Sequence, residues 1–265
     1  MKYYLRGGVG DFLQCLPYMM ANPDKEYLIH THFRKAKEFI EGFGVLNCKY
    51  YYFDNIEEHD STVDVMLEEN GENTTKNISP CPRYFYSKIQ FFEKYTSEAL
   101  NILKGIENKN GSKPLIGIHP FGSSFANTTY SSFNLPQKNI PSEILQEVIK
   151  PEFNYIIFGT EKELQGLDLP KFDNVFYTNH SIETCLSLVT RCSKFIGSDS
   201  CFKTMSSMNM IPTLCLVGSF DDQIRDFFFI NQYQSDSILV PIKVSDYQSQ
   251  NQEIVEKINE FLSAP

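Results

Sequence analysis

No tryptophan occurs in this chain, no two cysteines stand in a C-x-x-C spacing, and no apolar run approaches the roughly 20 residues needed to cross a bilayer. These absences exclude, in turn, a recognition element built on an indole, a zinc or dithiol site of the usual spacing, and a membrane-spanning helix. Basic residues are also in the minority, 24 Lys and Arg against 33 Asp and Glu, for a formal charge of −9. With a pI near 5.1, that balance disfavours a broad electrostatic footprint for nucleic acid or an anionic membrane. A small phosphate pocket stays compatible with it, because surface charges beyond about 8 Å are screened at physiological salt.

What is present fits a reduced, α/β protein. The seven cysteines, at 15, 48, 81, 185, 192, 201 and 215, fall largely in apolar runs where free thiols pack well, so neither a metal nor a disulfide frame is indicated. The chain opens directly on a strand-like segment without a basic leader and is read as cytoplasmic. Its 265 residues, 42% hydrophobic and 14% aromatic, can bury one large core or two of ordinary size, and two domains are favoured.

The most informative segment runs from Phe195 to Thr204. A buried strand breaks at Gly197 into a helix whose first turn carries Ser198, Asp199, Ser200, Cys201, Phe202, Lys203 and Thr204. The opening N–H groups of a helix lack intrahelical partners and its dipole places about half a positive charge there, which suits a phosphate. Asp199 or Ser198 would cap the helix, Met205 and Met208 would face the core, and the stretch from Pro212 to Gly218 returns as a strand. A purely structural crossover fits the same residues.

A similar unit opens the chain. Tyr3 to Leu5 is a short strand, the turn Gly7-Gly8-Val9-Gly10 follows, and a helix starts at Asp11, with Pro17 expected to kink or stop it. Asp11 is placed either to cap that helix or to meet a substrate hydroxyl. Gly8-Val9-Gly10 supplies G-x-G, but position 13 is Leu, so the dinucleotide fingerprint is incomplete.

Together with His119-Pro120-Phe121-Gly122, these segments resemble glycosyltransferase family 9, the heptosyltransferase-like enzymes of two-domain GT-B fold. Gly8-Val9-Gly10-Asp11 and Pro17 stand where that family has a G-x-G-D turn, a Leu-rich helix and Pro. His119-Pro120, with Gly122 one place late, matches its His-Pro-Gly, and Gly197-Ser198-Asp199-Ser200 matches its G-x-D-[ST]-G. The departures fall at the chemistry: Cys201 replaces the family's Gly, Thr204 its usual His, and Phe133-Asn134-Leu135-Pro136 its Lys-x-Trp-Pro. Lys203 is placed to supply the lost positive charge, although a lysine on a first helical turn is also commonly just solvated.

The resemblance implies two Rossmann-like domains whose parallel sheets face a central cleft. Residues 1–108 would form the acceptor side, 109–248 the nucleotide-sugar domain, and 249–265 a terminal helix returning to the first domain. It implies a metal-independent, inverting transfer from a nucleotide-diphosphate sugar to a hydroxyl acceptor, without a cofactor. Asp11 would be the base, with Arg6, Gly8 and Gly10 on the acceptor side. The donor diphosphate would lie on residues 197–204, aided by Ser123 and Ser124. No D-x-D triplet occurs, which fits the metal-independent style. Two other readings stay open: a non-catalytic nucleotide-sugar binder, and a transferase acting on modified nucleic acid, for which only Arg34, Lys35 and Lys37 offer a local basic strip.

The remaining pattern alternates. Strands are expected at Tyr27–His30, Cys48–Phe53, Val63–Leu67, Leu115–His119 and Tyr155–Phe158. Helices are expected at Arg34–Phe43, Tyr84–Ile106, Ser142–Ile149, Ile182–Thr190 and Gln252–Leu262. Glu68–Pro82 is read as a mobile surface loop and Glu107–Pro114 as a linker. Near-continuous apolar strands between helices imply parallel sheets, whose ligands bind beyond the carboxyl ends of the strands. His119 is read as a buried, hydrogen-bonded residue, His30 and His32 as sharing one strand face, and Arg225 as a possible anion contact.

Overall fold

The structure, a computed structural model, describes residues 2–54, 58, 75–77, 93–122, 139–198, 200–218, 239–244 and 246–265. The chain divides into two compact units, with the described residues up to 77 in the first and those from 93 onward in the second.

The first unit is a four-stranded parallel sheet in the order β3-β2-β1-β4, formed by β1 (Lys2–Arg6), β2 (Glu26–Thr31), β3 (Cys48–Tyr52) and β4 (Thr75–Asn77). Helix α1 (Val9–Ala21) buries Phe12, Leu13, Leu16 and Met19, a stripe at helical spacing, while α2 (Ala36–Glu41) adds Phe39 and Ile40. Pro17 lies inside α1 and does not end it: a single interior proline forfeits one ladder bond, and here its ring is buried with the apolar face. The loop expected over 68–82 contains β4, a polar three-residue strand that pairs with β1 from Lys2 to Tyr4. The strand expected at Val63–Leu67 lies outside the described residues.

The second unit is a six-stranded parallel sheet in the order β10-β9-β8-β5-β6-β7. Its strands are β5 (Leu115–His119), β6 (Asn154–Phe158), β7 (Val175–Thr178), β8 (Lys194–Ser198), β9 (Thr213–Gly218) and β10 (Leu239–Val244). Renumbered from β5, this is the doubly wound order 3-2-1-4-5-6, with its topological switch between β5 and β8. Helices α4 (Ser142–Val148) and α8 (Tyr247–Ser263) share a core with Ile116, Ile118, Ile157, Ile196, Leu214 and Leu216 on one face of the sheet. A short helix α5 (Glu161–Gln165) follows β6, opened by a capping box between Thr160 and Glu163. Helices α6 (Ile182–Val189) and α7 (Cys201–Met208) are largely buried and pack on each other, and α7 also packs on β8 and β9.

The boundary expected at 108/109 falls earlier in the chain. Helix α3 (Glu93–Asn110) belongs wholly to the second unit, because its side chains are anchored there. The Thr184 hydroxyl donates to Glu98, His180 Nδ1 lies 3.2 Å from the same carboxylate, and Asn110 donates to the Asp173 carbonyl at 2.6 Å. The expected linker starts late for the same reason: α3 continues to Asn110 and is closed by Gly111 at φ 77°, the left-handed position that glycine takes without a Cβ penalty. Within α3, Ala99 and Ile106 are buried and Leu100 is exposed.

The terminal helix, α8, supplies side chains to the second unit. Ile254, Val255, Ile258 and Leu262 of α8 lie in the second unit's own core. Lys194 at the start of β8 donates from Nζ to the carbonyls of Phe261, Leu262 and Ala264. A cation on the last carbonyls complements the negative end of the helix.

Candidate functional site

In the first unit the chemistry-bearing residues gather at the carboxyl end of β1, the strand next to the order reversal. Gly7 has φ 147°, and a Cβ there would collide with the Asp11 carboxylate. Asp11 is the third residue of α1 and accepts the Gly8 N–H through Oδ2 at 2.8 Å, so it caps its own helix from within rather than from the N-cap position. Only that half of a capping box exists, since Gly8 has no side chain to complete it. The turn is braced by β2: the Gly7 N–H donates to the His30 carbonyl at 3.2 Å, and the Thr31 hydroxyl donates to the Gly7 carbonyl at 2.7 Å. His30 and His32 do share a face, their rings 4.7 and 6.0 Å from Phe53. Burial pushes the His32 imidazole down to about 4, so it is neutral at physiological pH. Arg6 is exposed at the end of β1, and Gly10 lies in the first turn of α1.

In the second unit the predicted phosphate segment sits at the switch point. β5 and β8 pair with His119 opposite Gly197, and a Cβ on Gly197 would lie 2.8 Å from the His119 carbonyl, so only glycine lets the two strands run this close. Ser198 does not cap α7. Its buried hydroxyl donates to the Phe121 carbonyl and ties the two strand ends together. The N-cap position is Ser200, whose side chain makes no cap bond and whose buried Oγ has no partner. The ring of His119 lies 4.4 Å from Phe202, which stacks on Phe158 at 5.1 Å. His119 is buried, as expected, at 7% exposure, and its Nδ1 has no hydrogen-bond partner. Burial holds its imidazole down at about 3.

The first turn of α7 is more buried than its polar sequence suggests. Lys203 is only 7% exposed, which rules out a simply solvated lysine. The Thr204 hydroxyl donates back to the Ser200 carbonyl at 3.3 Å and is turned into the helix. Burial pushes the Cys201 thiol up to about 12, outweighing the backbone amides that pull it down, so it stays protonated. Ser123, Ser124, Asp199, Arg225 and the Phe133–Pro136 stretch lie outside the described residues.

The residues missed by sequence reasoning are Thr31, Phe121, Phe158 and Phe202 in their bracing roles. Their signal was positional: each stands at or just beyond a strand end, or at the first turn of a helix, next to a glycine of the site. Among the described residues no group of three His, Cys, Asp or Glu side chains is placed to hold a metal ion, and no helix is long and apolar enough to cross a membrane.

Two parallel α/β units with glycine turns at the switch strands are the fold of the GT-B glycosyltransferases. A family 9 glycosyl transferase from Veillonella parvula DSM 2008 shares it with a TM-score of 0.62 and 13% identity, over 99% of this chain and 97% of that one. The E. coli ADP-heptose LPS heptosyltransferase II shares it with a TM-score of 0.58 and 14% identity, over 99% and 98%. No family model and no curated protein matches the sequence.

Proposed function

We propose that the chain is a glycosyltransferase that moves a sugar from a nucleotide-diphosphate donor to a hydroxyl acceptor, by inversion and without a metal or cofactor. The observation that carries this reading is the pairing, at the β5/β8 switch point, of a helix amino end with two buried polar atoms that have no hydrogen-bond partner, His119 Nδ1 and Ser200 Oγ. A diphosphate offers acceptor oxygens to the opening amides of α7 and to Ser200, and the charge that develops on it as the sugar departs meets the helix dipole and Lys203. The neutral His119 would donate from one ring nitrogen.

The second unit holds the donor in this reading and the first presents the acceptor, with Asp11 as the base. An inverting transfer needs a carboxylate to take the acceptor proton while the new bond to the anomeric carbon forms. The solved neighbours support this by fold, and one of them is named for ADP-heptose. A cytoplasmic site of action follows from the use of a nucleotide-sugar. The acidic surface leaves the transferase on modified nucleic acid without support.

A non-catalytic nucleotide-sugar binder is the second reading, favoured by Thr204, whose hydroxyl serves the Ser200 carbonyl. One experiment separates the two. A thermal-shift panel of nucleoside diphosphates and nucleotide sugars is run on wild type and Asp11→Asn, where a ligand at 100 times its Kd adds about 2.7 kcal/mol. Release of nucleoside diphosphate from the stabilising donor is then measured with a panel of saccharide acceptors. The transferase reading expects equal shifts in both proteins and release at least about a hundredfold slower in the variant. Stabilisation without release leaves the binder, and no stabilisation by any compound overturns both.

A further inference from the structure

We infer that the acceptor is a saccharide and that His32 binds it, the imidazole holding a hydroxyl next to the one that Asp11 activates. This rests on the transferase reading, and it adds to that reading a substrate class and a further binding residue on the acceptor side.

Asp11 and His32 converge on one residue. The Gly8 N–H donates to Asp11 Oδ2 at 2.8 Å, and a Cβ on the same glycine would stand 3.3 Å from His32 Cε1 and 3.6 Å from Nε2. A side chain at position 8 would thus press on the ring edge that carries Nε2. One hydroxyl fixes the backbone on both sides of His32: Thr31 donates from Oγ1 to the Gly7 carbonyl at 2.7 Å and accepts the Phe33 N–H at 3.0 Å. The segment that carries His32 is therefore tied to the turn that carries Asp11. The buried ring of Phe53, 6.0 Å away, backs the imidazole. Such bracing preorganises a side chain for binding. Asp11 is exposed and His32 half-buried, so neither is shut in the core.

The protonation states select the ligand. An ionised Asp11 only accepts, and it takes the proton of the reacting hydroxyl. His32 is neutral at physiological pH, its imidazole held down at about 4 by burial, and a neutral ring offers one donor nitrogen and one acceptor nitrogen. A hydroxyl, itself donor and acceptor, pairs with either, whereas an anion can use only the N–H and a cation only the bare nitrogen. Two polar groups on one glycine, one anionic and one neutral, call for two hydroxyls on one molecule. A saccharide carries them on neighbouring carbons, and a simple alcohol does not.

Steady-state transfer tests this with ADP-glucose, UDP-glucose and GDP-mannose among the donors. The acceptors are the methyl glycosides of glucose, galactose and mannose, each beside its monodeoxy analogues. Wild type is compared with His32→Phe, which keeps the ring that packs near Phe53 and removes both nitrogens. In wild type one monodeoxy analogue should lose about threefold to tenfold in kcat/KM against its parent, while His32→Phe should treat the two alike, since only a direct contact makes the two deletions non-additive. The donor KM should be the same in both proteins. An equal loss in both, or a donor KM that rises with the acceptor KM, removes His32 from the acceptor and leaves the transferase reading standing. His32→Ala is read the same way and keeps the comparison decisive if the phenylalanine variant melts well below wild type. Wild type that releases nucleotide but spares every glycoside overturns the saccharide acceptor alone, and wild type without release takes the transferase reading with it.

Discussion

The carboxylate of Asp11 stands over Gly7 so closely that the turn has room for hydrogen alone at that position. Gly7 also carries φ 147°, a region that residues with a side chain rarely adopt. Gly7→Ala is therefore expected to displace Asp11 and to lower stability by about 1 to 3 kcal/mol, the range for strained backbone. Denaturant unfolding measures the second effect. A stability within error of wild type would show that the turn relaxes without consequence.

Lys203, on the first turn of α7, is only 7% exposed, and the proposed donor site would draw on its charge. Lys203→Met keeps most of the apolar stem and removes the charge. Calorimetric titration with ADP should show affinity about tenfold weaker or more, because hydrogen bonds to charged groups contribute about 1.5 to 3 kcal/mol. Equal affinity in the two proteins would take Lys203 out of the donor site.

Lys194 serves the carbonyls of Phe261 and Leu262 in the last turn of α8 and that of Ala264 just beyond it. Lys194→Met should destabilise the second unit by about 1 to 2 kcal/mol, and the last turn of α8 should exchange its amide hydrogens faster. Hydrogen exchange followed by mass spectrometry reads this directly. Unchanged protection over residues 258–263 would count against the anchoring role.

The acid side of the stability curve carries a histidine signature. The folded-state value of His119, about 3, lies below its ordinary value of 6.5 because burial disfavours the charged ring. Above pH 6.5 neither state takes a proton there, so the neutral ring costs nothing extra. Between 6.5 and about 3 the unfolded chain binds a proton that the folded chain refuses, so stability falls as pH falls. His32 adds the same sign between 6.5 and about 4. His119→Gln should flatten the decline by up to about 1.4 kcal/mol per pH unit. Parallel curves for the two proteins would mean that the ring titrates alike in both states.

The legible parts of the fold were those where pattern and local chemistry agree. β5, β6 and β8 are apolar runs ending at His119, Phe158 and Ser198, and glycine marks or follows two of those ends, so both the strands and the site edge could be placed. β10 escaped because Pro241 interrupts it. A proline is tolerated there since, among the described residues, β10 pairs with β9 alone and stands at the sheet edge. β4 escaped because Thr75-Lys76-Asn77 carries no apolar signal, and its pairing with β1 comes from tertiary context. At the site, the glycine turns were readable from sequence. The direction of the Thr204 hydroxyl and the burial of Lys203 were not, because a helix's first turn faces water or core according to what packs beside it.

The inward turn of Thr204 constrains how this protein can change. It is 5% exposed and bonded to its own helix, so a histidine placed there by one substitution would meet packed neighbours instead of an open pocket. Room for an imidazole would have to come from smaller residues beside α7, and as it stands the hydroxyl spends its hydrogen bond inside its own helix and offers none to a ligand.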